Sequence, residues 1–214
     1  MKACFFDAYG TLFDVHSAVT AHADAVGPEA GSLSATWRAK QLEYSWIHAL
    51  MDDYVDFWRL TQRALDFAFA AHPEANRDMR DRLLEAYFTL KAYPEVRDVL
   101  DRLRGRGTIV GILSNGSPDM LEAAVRRNDL CFDHTISVDP LRTFKTRAET
   151  YQTMVEATGL APDVIRFHSS NRWDVAGATR FGCRTVWVNR TGQPDEYEDH
   201  APERVVSDLT EIVV

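Results

Sequence analysis

Four apolar runs of the chain each end in residues able to do chemistry. Ala3–Phe6 ends in Asp7, with Tyr9 and Thr11 in the turn beyond. The run TIVGIL, Thr108–Leu113, ends in Ser114–Asn115–Gly116. Phe144–Lys145 follow HTISV, His134–Val138. VIRFH, Val164–His168, ends in Ser169–Ser170–Asn171, with Asp174 three residues on. One polar residue at such an end is ordinary. A carboxylate, a hydroxyl beside an amide, an ammonium and a second Ser/Asn/Asp group at four ends make a signal. A half-buried carboxylate needs a partner, because burial raises its pKa and a nearby cation lowers it. Lys145 is the available cation, and beside it Asp7 stays ionised and able to act as a nucleophile. Asp174 opens a helical stretch, where the helix dipole favours it. His168 reads as a strand-interior side chain, His16 as a turn hydrogen bonder, and Asp14 as a cap for the helix that follows.

These residues need a frame that brings strand ends together. Short continuous apolar runs without alternation fit strands covered on both faces, as in parallel sheets. Arg184–Val188 adds another. Helical stretches separate them. Pro94–Arg104 carries Val96, Val99, Leu100 and Leu103 on one face. A helix opens at Ser117 as N-cap with Pro118 in its first turn. Arg147–Thr158 and Trp173–Phe181 are followed by the stop signals Gly159 and Gly182. The alternation predicts an α/β fold, a Rossmann-like doubly wound parallel sheet whose ligand lies at the carboxyl ends of the strands. From Ala18 to Lys91 the alternation breaks into helical faces. Leu42, Trp46 and Leu50 read as one buried stripe flanked by Tyr44, Ile47 and Met51, and Phe57, Leu60, Ala64 and Phe67 as the next. That predicts a helical cap, residues 18–91, inserted after the first strand into a core of 1–17 and 92–214.

The 214 residues are 45% apolar and 26% charged, a globular profile. A net charge of −8 argues against nucleic-acid binding, which needs a basic face. No apolar run reaches the roughly 18 residues of a membrane span, and Asp7 interrupts any secretory signal. Cys4, Cys131 and Cys183 are scattered and odd in number, which suits reduced core thiols in a cytoplasmic protein.

Together FDAYGTLFD, WRAKQLEY, ILSNGSPDML, FK with Tyr151, SSNRWDVAGA and VWVNRTGQP resemble the L-2-haloacid dehalogenases of the haloacid dehalogenase superfamily. They follow the family's order from residue 5 to about 194. The resemblance implies a cofactor-free hydrolase acting on a short 2-halocarboxylate and releasing halide and a 2-hydroxy acid, and it favours a homodimer. It assigns Asp7 as nucleophile, oriented by Thr11. Arg38 and Asn115 would draw off the halide, and Ser114 would hold the substrate carboxylate. Lys145 would balance Asp7, with Tyr151 beside it. Ser169, Asn171 and Asp174 would position and activate water, while Tyr9, Leu42, Phe57 and Trp173 would wall the pocket. Two departures stand out. Thr146 replaces the usual proline after Lys145, and Ala39 replaces a common glutamine after Arg38.

The superfamily's phosphatases are the rival. They usually carry a second acid two residues after the nucleophile, where this chain has Tyr9, and further acids in the fourth motif, where only Asp174 remains. Magnesium prefers hard carboxylate oxygens in octahedral geometry, so a metal-free reaction on a monoanion is expected. A fluoroacid dehalogenase, an atypical phosphatase and an idle carboxylate-binding member stay open as alternatives.

Overall fold

The computed structural model describes residues 2–212. Six parallel strands, β1 (Ala3–Phe6), β2 (Ile109–Ser114), β3 (His134–Ser137), β4 (Ile165–Ser169), β5 (Arg184–Val188) and β6 (Arg204–Val206), form one sheet in the order β3-β2-β1-β4-β5-β6. The order reverses between β1 and β4, which makes that crevice the switch point where ligands bind. The expected strands all form; β6 was not foreseen. It has three residues and pairs only with β5, too short to show a period.

Alternation along β1 divides the core. Ala3 and Phe5 face one side, with Tyr151 and Met154 of α8 (Ala148–Thr158) and Ala178 of α9 (Arg172–Phe181). Cys4 and Phe6 face the other, with α6 (Val96–Gly105) and α7 (Pro118–Arg127). Gly159 and Gly182 end α8 and α9 in the left-handed conformation. Ser117 stands at the N-cap of α7 in extended backbone, but its hydroxyl makes no capping bond; Pro118 alone marks the start. Asp14 braces the turn before the next helix, where Oδ1 accepts the His16 N–H at 2.9 Å.

Five helices lie between β1 and α6: α1 (Ser17–Thr20), α2 (Ala23–Val26), α3 (Ala30–Leu50), α4 (Phe57–Ala71) and α5 (Arg80–Phe88). Their apolar side chains join the α6–α7 side of the core. The face that α3 buries differs from the expected one. Leu33, Trp37 and Gln41 turn inward, whereas Trp46, Ile47, Leu50 and Met51 are exposed, Leu50 by 75%. The apolar spacing near the end of α3 is helical, but among the described residues it is covered only in part, with Trp46 edge-on to the Trp173 ring at 5.5 Å. On α4, Phe57, Leu60 and Ala64 are buried as expected, while Phe67 is exposed under the Lys40 ammonium. Cys4 and Cys183 are buried, and burial pushes both thiols up to about 12. Cys131 is exposed in the irregular link between α7 and β3, so it is not the core filler expected. No helix of the described residues is long and apolar enough to cross a membrane.

Candidate active site

β1 places Asp7 at the switch point, 5% exposed, with its N–H donating to the His168 carbonyl at 2.9 Å as the ladder runs out. The chain then turns sharply. Gly10 has φ +95°, and the N–H groups of Thr11, Leu12 and Phe13 all converge on the Ala8 carbonyl. This turn brings Thr11 Oγ1 within 3.0 Å of Asp7 Oδ2, to which it donates, while it accepts the Ser170 N–H at 2.8 Å.

Three further groups reach Asp7 or its neighbours. Asn171 Nδ2 donates to Asp7 Oδ2 at 2.8 Å. Lys145 Nζ donates to Asp7 Oδ1 at 3.1 Å and to Asp174 Oδ2 at 2.9 Å. Tyr151 donates to Asp174 Oδ1 at 2.8 Å, so it holds Asp174 and not the lysine. Burial opposes the charge on Lys145, but Asp174 and Asp7 outweigh it and hold its pKa above the ordinary value. Asp174 has no exposed surface, and burial pushes its carboxyl up to about 6 against the pull of Lys145. Burial likewise lifts the Tyr9 and Tyr151 phenols well above their usual range, so both are hydrogen-bonding groups and not anions.

Replacement of the usual proline by Thr146 does not free the lysine. Its N–H donates to Asn115 Oδ1 at 2.9 Å, and its ammonium lies 4.9 Å from the centre of the Phe167 ring. The Lys145–Thr146 peptide is cis. Asn115 therefore spends its carbonyl oxygen on the backbone and keeps its amide donor for the site. Ser114 Oγ accepts the Gly116 N–H at 3.1 Å, and Gly116 lacks a Cβ that would stand 2.6 Å from the Tyr9 ring.

Arg38 enters from α3 and donates to the Tyr9 carbonyl at 3.0 Å, Asn171 Oδ1 at 3.2 Å and Gln41 Oε1 at 2.8 Å. A cavity of about 10 Å³ lies beside these groups, walled by Asp7, Tyr9, Arg38, Leu42, Phe57, Ser114, Asn115, Asn171 and Trp173. Lys145, Tyr151 and Asp174 stand behind Asp7. Asn171 bridges nucleophile and guanidinium in the cavity wall. Ser169 is not in the wall: its hydroxyl accepts the Asn171 N–H at 3.1 Å. His168 is buried, its Nδ1 lies 3.1 Å from the Phe5 carbonyl, and burial lowers its pKa to about 3, so it is no base for water. His16 Nδ1 lies 2.8 Å from Ser34 Oγ, outside the cavity wall.

Residues 1–182 match the haloacid dehalogenase-like hydrolases. The chain is 46% identical to (S)-2-haloacid dehalogenase 4A of Burkholderia cepacia, over 99% of its length and 93% of that protein's. The chain belongs to the haloacid dehalogenase-like hydrolases. Within them its full-length similarity is to (S)-2-haloacid dehalogenases, hydrolases acting on carbon–halide bonds. A dehalogenase crystal structure at 45% identity superposes with a TM-score of 0.96, covering 99% of this chain and 95% of that one. The L-2-haloacid dehalogenase of Xanthobacter autotrophicus with chloropropionic acid covalently bound, 36% identical, gives 0.89 over 98% and 95%.

In this haloacid dehalogenase-like hydrolase, sequence reasoning missed Gln41. It is fully buried on a half-polar helix, accepts from Arg38 and from Tyr87 at 3.0 Å, and donates to Thr61 Oγ1 at 2.6 Å. Its signal is a glutamine three residues after Arg38 and one helical turn after Trp37, itself one turn after Leu33, a face the expected stripes of Leu42 and Tyr44 do not include. Ala39, one of the two departures from the family's pattern, is exposed and outside the cavity wall.

Proposed function

We propose that this hydrolase converts short L-2-haloacids to D-2-hydroxy acids by attack of Asp7 at C2, without a metal ion. The observation that supports it most is the single ammonium of Lys145 shared by Asp7 and Asp174. One cation between two carboxylates offsets their charge and leaves no carboxylate pair free for a hard cation. Among the described residues, no cluster of three or more His, Cys, Asp or Glu side chains is placed to hold a metal. Asp7 Oδ2 already receives two donors, so Oδ1, with one, keeps a lone pair for attack.

In the first step an Asp7 oxygen bonds to C2 as the carbon–halogen bond breaks, which inverts the centre. Arg38 and the Asn115 amide take up the departing halide, beside the apolar walls of Leu42, Phe57 and Trp173. Ser114 and the turn amides near it hold the substrate carboxylate. Water then adds to the aspartyl Cγ, and the Cγ–oxygen bond to the product breaks while the C2–oxygen bond stays intact. One water proton passes to the departing 2-hydroxy acid, and Asp7 is restored as a carboxylate holding the water oxygen. Alignment of the reacting atoms in so small a space supplies much of the acceleration.

The test is one turnover of L-2-chloropropionate in oxygen-18 water with EDTA present. Label is expected in Asp7, with chloride released from the L form alone. Label appearing first in the product, or activity that needs added magnesium, would sink the proposal. We also propose a homodimer, supported by the exposed apolar residues Trp46, Ile47, Leu50 and Met51. Sedimentation at a single-chain mass would refute it.

A further inference from the structure

The VWVNRTGQP stretch has no part in the chemistry above, yet it reaches the nucleophile's turn. Beyond the end of β5, the Arg190 guanidinium donates to the Thr11 carbonyl at 2.9 Å and to Glu95 Oε1 at 2.7 Å. Its central carbon lies 3.7 Å from the centre of the Tyr93 ring, and both side chains of the ion pair are only 15% exposed. Tyr93 and Glu95 belong to the link by which the chain returns from the helical insert to α6. That link is also paired to the nucleophile's turn: the Asp14 N–H donates to the Lys91 carbonyl and the Tyr93 N–H to the Leu12 carbonyl, both at 2.9 Å. Arg190 thus joins three segments at one point.

Thr11 needs such an anchor. Three N–H groups crowd onto the Ala8 carbonyl, which has two lone pairs, and the Thr11 bond is the longest at 3.3 Å. The turn alone therefore holds the Thr11 peptide weakly from its N–H side. Arg190 holds it from the carbonyl side, and Glu95 balances the added charge so that it does not compete for Asp7. Both bonds leave one terminal nitrogen while the guanidinium lies against the Tyr93 ring, so an ammonium could keep the two bonds but not the planar stacking.

We infer that Arg190 is a positioning residue: it fixes Thr11 against the return link of the cap, so that the Thr11 hydroxyl keeps Asp7 aimed. This rests on Asp7 acting as the nucleophile. Arg190→Gln is expected to slow halide release in a single turnover of L-2-chloropropionate about 10- to 100-fold, the effect of a misplacement near 1 Å. The apparent substrate dissociation constant should stay within about two-fold, because substrate contacts are untouched. Arg190→Lys should recover only part of the rate, and Glu95→Gln should lose less than Arg190→Gln. Rates are taken per folded molecule, with folding followed by circular dichroism and thermal melting. Wild-type halide release in Arg190→Gln, or, if that variant does not fold, in both Arg190→Lys and Glu95→Gln, overturns the inference. Failure of the parent proposal is separate, since it shows as wild-type activity in Asp7→Asn.

Discussion

The Lys145 ammonium stands 2.9 Å from Asp174 Oδ2, with 1% of one side chain and none of the other exposed. Charges so buried hold each other in place, and removing one strands its partners. Lys145→Met should abolish turnover and cost about 3–5 kcal/mol in urea unfolding, the usual loss when a buried pair is broken. Adding Asp174→Leu should restore part of the stability and none of the activity. Unchanged stability in the single variant would mean that the pair contributes nothing to the fold.

The raised carboxyl of Asp174 predicts an acid limb. As the pH falls through about 6 that group takes a proton, and Lys145 loses one of its two anions. The rate should then fall about tenfold per pH unit at the limit, with a pKa that belongs to the Lys145–Asp174 pair. On the alkaline side no fall is expected before the lysine itself titrates, above its ordinary value. A rate constant from pH 8 to pH 4.5 refutes the assignment.

His168 predicts a stability effect of opposite sign to that of Asp174. Its folded pKa is lowered to about 3, so below about 6.5 the unfolded chain binds a proton that the fold refuses. That contribution is present above about 6.5 and is lost by about 1.4 kcal/mol per pH unit on the way down to about 3. Asp174, raised to about 6, gains stability over part of the same window and masks the loss. The comparison that isolates it is His168→Asn against wild type: the variant should gain relative stability steadily as the pH drops. Parallel curves would show that the imidazole titrates normally.

Gln41 predicts a split between charge and shape. Gln41→Leu leaves Arg38 and the Tyr87 hydroxyl without their acceptor and should cost about 1–3 kcal/mol of stability. Gln41→Glu keeps an acceptor for Arg38 but adds a charge that competes with halide for the guanidinium. It should therefore slow halide release more than Gln41→Leu does, although it preserves more of the hydrogen bonding. The reverse order in halide-release rates would place Arg38 away from the halide.

Most of the frame and the charged heart of the site were legible because they are written locally. Continuous apolar runs ending in Asp7, Ser114 and Ser169 announce buried parallel strands, and the strand ends must meet. The partners of those residues were less legible. That Tyr151 holds Asp174 and that Asn171 spans Asp7 and Arg38 depend on rotamers and turns, which spacing does not encode. The inward face of α3 was misread for a related reason. A buried glutamine satisfied by Arg38, Thr61 and Tyr87 looks polar in sequence, whereas Trp46 and Leu50 look like core and are not.

The cavity beside Asp7 has room for about one water molecule, which is smaller than any haloacid. A haloacid therefore fits only where wall side chains such as Arg38, Leu42 and Phe57 move apart to admit it. Affinity measured from solution is then discounted by the fraction of molecules open at any moment; a fraction of about 1% would weaken it about 100-fold. Sequence changes behind the wall residues, where Arg38, Leu42 and Phe57 pack, would in that way tune apparent affinity without altering a single wall of the pocket.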